Sequence, residues 1–596
     1  MRLVSISIQN FRSIRFLEKM RIEPLQALVG ENNSGKSNIL RALKCFLSAG
    51  AGGVAESDFN EASHVMWIEC EFGNLTQAEA LRLRRYLING TVILRKELRI
   101  ATDLKGKQSI KAEYHGYQAE PSDYFLSLKK IEEKGKPDWI ELARQGGFFT
   151  EQLLVEGKLT KAAFKAALEE FLNVADVPYD DAVLGQTQAL GIPQNLLANL
   201  PELYLLPAIT DYADEIDKRS NSTVFRRLMG DLSQRLLRVD PRYSEVDDAI
   251  NKLRALLNPV SDQPIQRLGA LTQVESKLKE LVSKLMPSVT SVSLGVEIDQ
   301  ARDLFSRGVA IQVDDGALTS VLDKGNGLQR SLVFALLQML IEADKTQDGT
   351  DRPILLAIEE PELYIHPHCQ RLIFSVLKKF SGATDEGVYD GHDQVIYTTH
   401  SPAFVEIAHY DRIAVVRKAS AAIGTITLQC APGALGTNDE RKAFKLLTSF
   451  GIKHNELFFA QDAILVEGVE DEIGLIAAAR KLNFFQELPD EIGVSIVVTG
   501  GKGDVPKFQK VLNAFGLAYS VLLELDGKDE NDKQSQPIIE NLAGNRIAKV
   551  SHRVEDLLGI GSHFADQSHA KRFFSAPENI NKQFEEITSI LFSRPK

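Results

Sequence analysis

Eight residues near the N-terminus constrain this chain most: Gly30, Glu31, Asn32, Asn33, Ser34, Gly35, Lys36 and Ser37. They follow the apolar run Leu25 to Val29 and precede a helix-like stretch from Asn38 to Leu47. Glycines at this spacing let successive backbone N–H groups converge on phosphates at a helix N-terminus. Lys36 would then reach the β and γ phosphates of a nucleotide, and Ser37 would hold Mg²⁺. A glycine turn before an ordinary helix explains the glycines but not the adjacent Lys-Ser. The expectation is an ATP or GTP site built on a strand, a loop and a helix.

At 596 residues the chain is too long for one core, and length alone suggests about three or four domains. Hydrophobic residues make up 44% and charged ones 25%, the balance of a globular protein rather than a disordered or fibrous one. A net charge of −12 excludes a wholesale basic coat, yet carboxylates can gather at metal sites beside a local basic groove. Cys45, Cys70, Cys369 and Cys430 lie far apart without a C-x-x-C pair, so neither a zinc site nor a disulfide framework is indicated. A reducing, cytoplasmic setting fits best. The N-terminus lacks a continuous apolar core of a signal peptide, and no run of about eighteen uncharged apolar residues suggests a membrane span.

Val4, Ile6 and Ile8 alternate with polar neighbours as in a half-buried strand, and Asn10-Phe11-Arg12 reads as a turn into a second strand. Met66 to Phe72 and Thr91 to Ile100 read as strands of an antiparallel layer flanking the nucleotide. From about Ser127 to Leu285 the texture turns helical, for example over Lys161 to Val174 and Ser244 to Leu257. Within it, Glu202 to Ile209 reads as a core strand, so this region interrupts one domain. Leu268 to Leu285 repeats apolar positions at heptad-like spacing, which suits either a self-association face or packing on its own domain.

Val321 to Arg330 runs into an apolar helix, Ser331 to Leu340, with Gly325 and Gly327 just ahead of it and Gln329 beside them. Such a helix end is ready for an anion. Ile354 to Ile358 is a continuous apolar strand that ends in Glu359, Glu360, Pro361 and Glu362. Two carboxylates at a buried strand end suit Mg²⁺ held through a water by the first, Glu359, and an attacking water oriented by the second, Glu360. Val395 to Thr399 forms another strand and ends at His400, an imidazole placed to sense the γ-phosphate or to position water. His366 and His368 flank Pro367 and are poor candidates for metal ligands.

A different unit starts after Gly451. Asp462 to Val466 rises as a strand and ends in Glu467, and Asp471 follows four residues later. With a helix starting at Gly468 or Val469, both acids can face one cavity, while Glu470 and Glu472 cap the helix or meet solvent. Val494 to Thr499 is a second strand that leads into Gly500-Gly501-Lys502-Gly503-Asp504. Val521 to Leu523 is a third, and strand alternation puts Glu524 and Asp526 on one face. All three deliver acids or glycine loops to the carboxyl edge of one sheet, where α/β folds place their sites. Oxygen-only ligands of this kind select Mg²⁺ or Mn²⁺, and two such ions can stabilise both the attacking and leaving oxygens of a phosphodiester.

The phosphate loop, the Gly-x-Gly-x-Gln-Arg run at Gly325 to Arg330, the strand with Glu-Glu-Pro-Glu and the strand with Thr-His-Ser together resemble ABC-type ATPases of the RecF and SMC kind. That resemblance implies that Gly325 to Arg330 of one protomer completes the ATP site of another. Glu359 stands where that family usually has Asp. Glu-Gly after a strand, followed by a strand with an acid-x-acid pair, resembles the TOPRIM domain of topoisomerases, primases and some nucleases. The combination resembles the overcoming lysogenization defect (OLD) family of nucleases. By that resemblance Glu467, Asp471, Glu524 and Asp526 are metal ligands, with Glu555 or Asp556 as a later one. Glu524 stands where Asp is commoner. The family also uses a lysine near the end of the chain, for which Lys571, Lys582 and Lys596 are the candidates, Lys571 first.

The expected architecture is multidomain α/β: an ABC-type P-loop ATPase in two parts, 1–126 and 286–450, a mainly helical insert at 127–285 that offers a dimerisation region, and a Rossmann-like TOPRIM domain at 451–596. The expected activity is a DNA endonuclease or nickase that uses Mg²⁺ or Mn²⁺, is regulated by ATP, and serves in antiviral defence. The catalytic set is Glu360, His400, Glu467 and Lys571. A homodimer or higher homo-oligomer, acting on DNA with a companion defence protein or nucleic acid and no membrane, is the expected assembly. The competing reading is a DNA-tethering ATPase of the RecF or SMC kind whose C-terminal acids are architectural. No tyrosine stands in a context that marks it as a strand-joining nucleophile.

Overall fold

The computed structural model describes residues 1–593 apart from 52, 61–62, 84–85, 103–107, 119, 155–156, 176, 179, 181–182, 185–199, 209–227, 231, 233–239, 259–266, 286–290, 292, 297–310, 345–352, 385–392, 421, 432, 449–451 and 562. Ile209 and Lys596 therefore lie outside the described residues. The chain divides into two compact units. One comprises Met1–Leu205, Arg352–Glu362 and Ser381–Lys596, and the other Leu206–Asp351 and Leu363–Phe380.

Among the described residues the first unit contains three sheets. A seven-stranded sheet carries β1 (Arg2–Phe11), β2 (Ile14–Arg21), β4 (Val65–Gly73), β5 (Leu87–Ile88), β6 (Thr91–Thr102), β7 (Gln108–Gln118) and β8 (Val183–Leu184). It has the order β2-β1-β4-β6-β7-β8, with β5 paired to β6. Alternation decides its faces: Met66, Ile68, Cys70 and Phe72 of β4 are buried, whereas Trp67, Glu69 and Glu71 are less so. The buried face packs on the helix α1 (Lys36–Leu47), whose Ile39, Leu40, Leu43 and Phe46 form one apolar stripe. At the C-terminal end of α1 the fully buried Lys96 donates to Cys45 O at 2.6 Å and Ser48 O at 2.7 Å, and Tyr114 Oη donates to Phe46 O. A cation there answers the carbonyls that a helix end leaves unpaired.

The second sheet has the order β15-β14-β3-β13-β12-β9, from Gly424–Gln429, Ile413–Ser420, Leu25–Val29, Gln394–Thr399, Ile354–Glu359 and Glu202–Leu206. Its central strands β3, β12 and β13 are buried at every position, as expected of parallel strands covered on both faces. Register pairs Thr399 with Val29 and Glu359 with Thr398, so three strands end together. Glu202 to Leu206 joins this sheet as the core strand that its apolar run suggests, stopping before Pro207. The helices Leu128–Glu133, Trp139–Gln145 and Lys161–Val174 build a small core of their own around Leu142, Phe148, Phe164 and Leu168.

The third sheet is wholly parallel, in the order β17-β16-β18-β19, from Val494–Val498, Asp462–Val466, Tyr519–Glu524 and Arg546–Val550. The helices Val469–Lys481, Gln567–Phe574 and Lys582–Phe592 share one apolar core with it, around Ile464, Leu475, Phe574 and Phe584. This is the doubly wound arrangement that the strand, acid and glycine-loop pattern implies.

The second unit holds the hairpin β10–β11 (Gln312–Asp314 and Leu318–Ser320) and the helices Tyr243–Leu257, Gly269–Leu285, Asn326–Asp344 and Pro367–Phe380. The helix expected from Ser331 starts at Asn326, so Gly327 lies inside its first turn rather than ahead of it. Leu268, Val274, Leu278 and Leu281 of the heptad-like run are exposed. Among the described residues no helix is long and apolar enough to cross a membrane.

Candidate functional site

The phosphate loop bridges β3 and α1 with three residues at positive φ: Gly30 at 147°, Asn33 at 61° and Gly35 at 109°. Glycine is required at two of them by space as well as by φ. A Cβ on Gly30 would stand 2.1 Å from Val416 O, and one on Gly35 would stand 2.3 Å from Thr425 Oγ1. Thr425 Oγ1 lies 2.9 Å from Ser13 Oγ and donates to Ser34 O, and Asn38 Nδ2 donates to Ser13 Oγ at 2.8 Å. The loop is thus held by β15 and by the turn after β1, partners that no local pattern names. Asn32 and Asn33 are exposed, while Ser37 sits in the first turn of α1.

Lys36 is buried and donates from Nζ to Gly30 O at 2.9 Å and Glu31 O at 2.8 Å. Burial pulls its ammonium down to about 8, against the opposing charges of Glu360, Glu362 and Glu31. Glu360 and Glu362 come from the neighbouring strand end, and Glu31 from the loop itself. Glu359 is the last, buried residue of β12, and Glu360 follows it at φ 47°, with its N–H donating to Thr398 O and Oγ1. A left-handed glutamate costs about 1–2 kcal/mol and persists here because Thr398 holds its amide. His400 Nε2 lies 3.9 Å from Glu360 Oε1, and its pKa is lowered by burial first and by Lys36 second, with Glu360 pulling the other way. A neutral ring suits hydrogen bonding to a phosphate or a water rather than service as a fixed cation.

Glu362, which the sequence reading leaves without a role, organises this corner. Its carboxylate accepts from His400 N at 2.6 Å and from Thr399 Oγ1 at 2.9 Å. It fastens the loop carrying His400 to the one carrying Glu360. Only the proline turn between Glu360 and Glu362 hinted at this, by sending the second acid back across the sheet edge. Gly325, Gly327 and Gln329 belong to the other unit. There a Cβ on Gly327 would stand 2.6 Å from Tyr364 O, and Gln329 Nε2 donates to Val321 O and Lys324 O.

The acids of the parallel sheet gather at its carboxyl edge. Glu467 follows β16, and Asp471 lies buried in the first turn of Val469–Lys481, where its Oδ2 accepts from Gly468 N at 2.9 Å. Glu524 ends β18, and its Oε1 accepts from Val554 N at 2.6 Å. Asp526 stands two residues on at φ 54°, a conformation that Asp tolerates better than most side chains. Glu555 is buried, with His563 Nδ1 at 3.3 Å, whereas the alternative Asp556 pairs with Arg553. Burial pushes the Glu467 carboxyl up to about 7; Lys502 pulls it down, and the charges of Asp471 and Asp526 raise it further. Burial likewise raises Asp471, helped by Glu555, and raises Glu524, helped by Asp471, Glu467 and Glu555. Glu467, Asp471 and Glu524 are thus perturbed together, each by the charge of at least one neighbouring acid.

Lys502 stands among them. It is buried, and its Nζ donates to Glu524 O and, at 3.2 Å, to Asp526 Oδ2. Lys571, the candidate named from resemblance, is exposed on the last turn of Gln567–Phe574, and Lys582 opens the following helix. The glycine loop at 500–503 was legible as a flexible link at the sheet edge, and its lysine is the signal that could have found this residue.

The fit to a divalent cation lies in donor type and charge. Glu467 Oε1 is buried without a hydrogen-bond partner, and every candidate ligand is a carboxylate. Among the described residues no group of three or more His, Cys, Asp or Glu side chains converges tightly enough to cage an ion. The acids are collected and partly tied back by Gly468, Val554 and Lys502. Because the folded pKa of Glu467 exceeds its ordinary 4.5, its stabilising contribution is full below that value and lost as pH rises through about 7. Melting of the metal-free protein between about pH 5 and pH 8 is expected to show falling stability, and added Mn²⁺ to reverse the slope. A melting temperature that rises with pH without metal would contradict this account of the cluster.

Comparison with known proteins matches separate families to the N-terminal and C-terminal regions of the chain. A family profile described as an AAA ATPase domain matches residues 1–405, and one described as an overcoming lysogenization defect protein-like TOPRIM domain matches residues 458–526. The Old nuclease of Escherichia phage P2 is 25% identical over 535 residues, covering 88% of this chain and 77% of that protein. The OLD nuclease of Thermus scotoductus is 25% identical over 329 residues, covering 51% of this chain and 59% of its own length. Among solved structures, an SMC head bound to the C-terminal winged-helix domain of ScpA shares 14% identity at a TM-score of 0.35, covering 72% of this chain and 99% of that one. The chain belongs to the AAA ATPase domain family over residues 1–405 and joins that ATPase to an OLD-like TOPRIM domain.

Proposed function

We propose that this protein is a divalent-metal-dependent DNA endonuclease or nickase whose cutting is governed by ATP at the loop 30–37. The observation that carries the reading is the cluster of mutually perturbed acids, Glu467, Asp471 and Glu524, at the carboxyl edge of a TOPRIM sheet. The names of the relatives support the same activity. Glu467, Asp471, Glu524, Asp526 and Glu555 would hold Mg²⁺ or Mn²⁺. Bound there, such ions supply charge stabilisation for the attacking and leaving oxygens of a phosphodiester.

Lys502 takes the role first given to Lys571. Its buried ammonium offsets the acids and is placed to steady negative charge that develops on a phosphate drawn to them. At the other site Lys36 and Ser37 would bind ATP and its Mg²⁺ with Glu359, while Glu360 and the neutral His400 orient water. DNA as partner, self-assembly and use against phage belong to the same proposal. They rest on the family resemblance, and the last is tested by phage plating on cells carrying the wild type or Glu467→Gln.

Incubating supercoiled plasmid with the full chain in Mg²⁺ or Mn²⁺, with an EDTA control, tests the activity directly. Nicked or linear product that EDTA abolishes is the expected result. ATP-dependent retention of DNA without any strand break would instead make the protein a tethering ATPase.

A further inference from the structure

The two sites lie on separate sheets, yet two consecutive residues touch the edges of both. Asn455 belongs to the short helical turn Ile452–Phe458. Its Nδ2 donates to Pro402 O at 3.0 Å and Val405 O at 2.5 Å, and its Oδ1 accepts from Ile407 N at 3.0 Å. One side chain thereby uses three bonds to sew down the segment that follows His400. His454, the residue before it, makes its bond on the other side, with Nε2 lying 3.0 Å from Val498 O. A carbonyl only accepts, so Nε2 carries the proton. Val498 ends β17 and leads into Thr499, whose N–H and Oγ1 both donate to Val466 O, the residue before Glu467. Next come Gly500 at φ 86° and Gly501 at φ 145°, and then Lys502, which reaches Glu524 O and Asp526.

The turn between these contacts is stiff. The His454 ring lies 5.4 Å from Phe508, which packs edge-on against Phe444 at 5.1 Å, and Phe458 packs against Phe515 at 5.2 Å. Being consecutive in one short helical turn, the two residues keep their Cα atoms about 3.8 Å apart, and the ring packing holds that turn in place. The glycine pair, by contrast, occupies backbone conformations open to no other residue at low cost and can change them. A shift of the segment after His400 is thus passed on by a rigid turn and taken up at the loop holding Lys502.

We propose that Asn455 and His454 are positioning residues that transmit the state of the nucleotide-side segment 400–407 to the glycine loop 499–503, and so set Lys502 against Asp526 and Glu524. This rests on the reading of the two sites given above. It adds how one governs the other.

The test is hydrogen exchange of the full chain with and without a non-hydrolysable ATP analogue, in wild type, Asn455→Ala and His454→Phe. The phenylalanine keeps the ring on Phe508 and removes only the bond to Val498, so a folding defect in Asn455→Ala does not end the experiment. In wild type the analogue is expected to change exchange at 499–503 by about five-fold or more, the lower range of coupling between sites. In both variants that response should fall within roughly two-fold, while protection at 30–37 on loading stays as in wild type. A wild type that does not respond at 499–503, or a response kept in both variants, overturns the relay. Plasmid cutting in the same samples separates the two ideas. A wild type that responds at 499–503 but never cuts removes the nuclease reading and keeps the relay; one that cuts but does not respond removes the relay alone.

Discussion

Replacing Glu467 by Gln is expected to weaken Mn²⁺ binding and to lower plasmid cutting by at least about 100-fold. Changes one layer outside a metal's own ligands already cost about 10–100-fold, and Glu467, proposed as a ligand itself, feels the charges of Asp471 and Asp526. Its side chain is half-buried, its buried Oε1 lacks a hydrogen-bond partner, and the neighbouring charges of Asp471 and Asp526 disfavour its ionisation. Such a group is costly unless a cation answers it. Gln keeps the volume and removes the charge, so the metal-free variant should melt higher than wild type above about pH 7, where wild-type Glu467 ionises. Calorimetric titration with Mn²⁺ and melting curves check both halves. A variant that binds Mn²⁺ like wild type, or melts lower without metal at high pH, would show that Glu467 packs rather than ligates.

Replacing Lys36 by Ala is expected to weaken ATP binding by roughly 10- to 150-fold, the equivalent of the 1.5–3 kcal/mol that bonds to charged groups contribute. Lys36 is the buried cation between the phosphate loop and the acids Glu360 and Glu362. Without it their negative charge would face the γ-phosphate unopposed. Fluorescence titration with a labelled ATP analogue measures the loss, and metal-dependent cutting measured without nucleotide should stay near the wild-type rate. Unchanged binding would remove the loop from the nucleotide site.

The parts of this molecule legible in its sequence are those where function and local structure coincide. The phosphate loop needs its glycines and its Lys-Ser within one strand, turn and helix, and Glu359, His400, Glu467 and Glu524 each stand at or just beyond the end of an apolar run. Parallel strands buried on both faces announce themselves in that way, and so does the edge where their acids collect. What stayed hidden depends on residues that meet only after folding. Glu362 gains its role from Thr399 and His400, and Thr425 secures the phosphate loop from nearly 400 residues away. Lys502 looked like part of a glycine link because nothing near it in sequence is acidic except Asp504, while its partners Glu524 and Asp526 lie on the next strand. Asn455 satisfies backbone groups some 50 residues earlier, a kind of contact that carries no periodic signal.

If the acids from Glu467 to Asp526 carry the cut and the phosphate loop governs it by occupancy, cutting needs the metal but not the hydrolysis of ATP. Plasmid cleavage measured in Mn²⁺ with no nucleotide, with ATP and with a non-hydrolysable ATP analogue tests this most directly. ATP and the analogue are expected to shift the cutting rate in the same direction, and EDTA to stop cutting in every case. Cutting that proceeds with ATP but not with the analogue would place the driving step at the ATPase and contradict it.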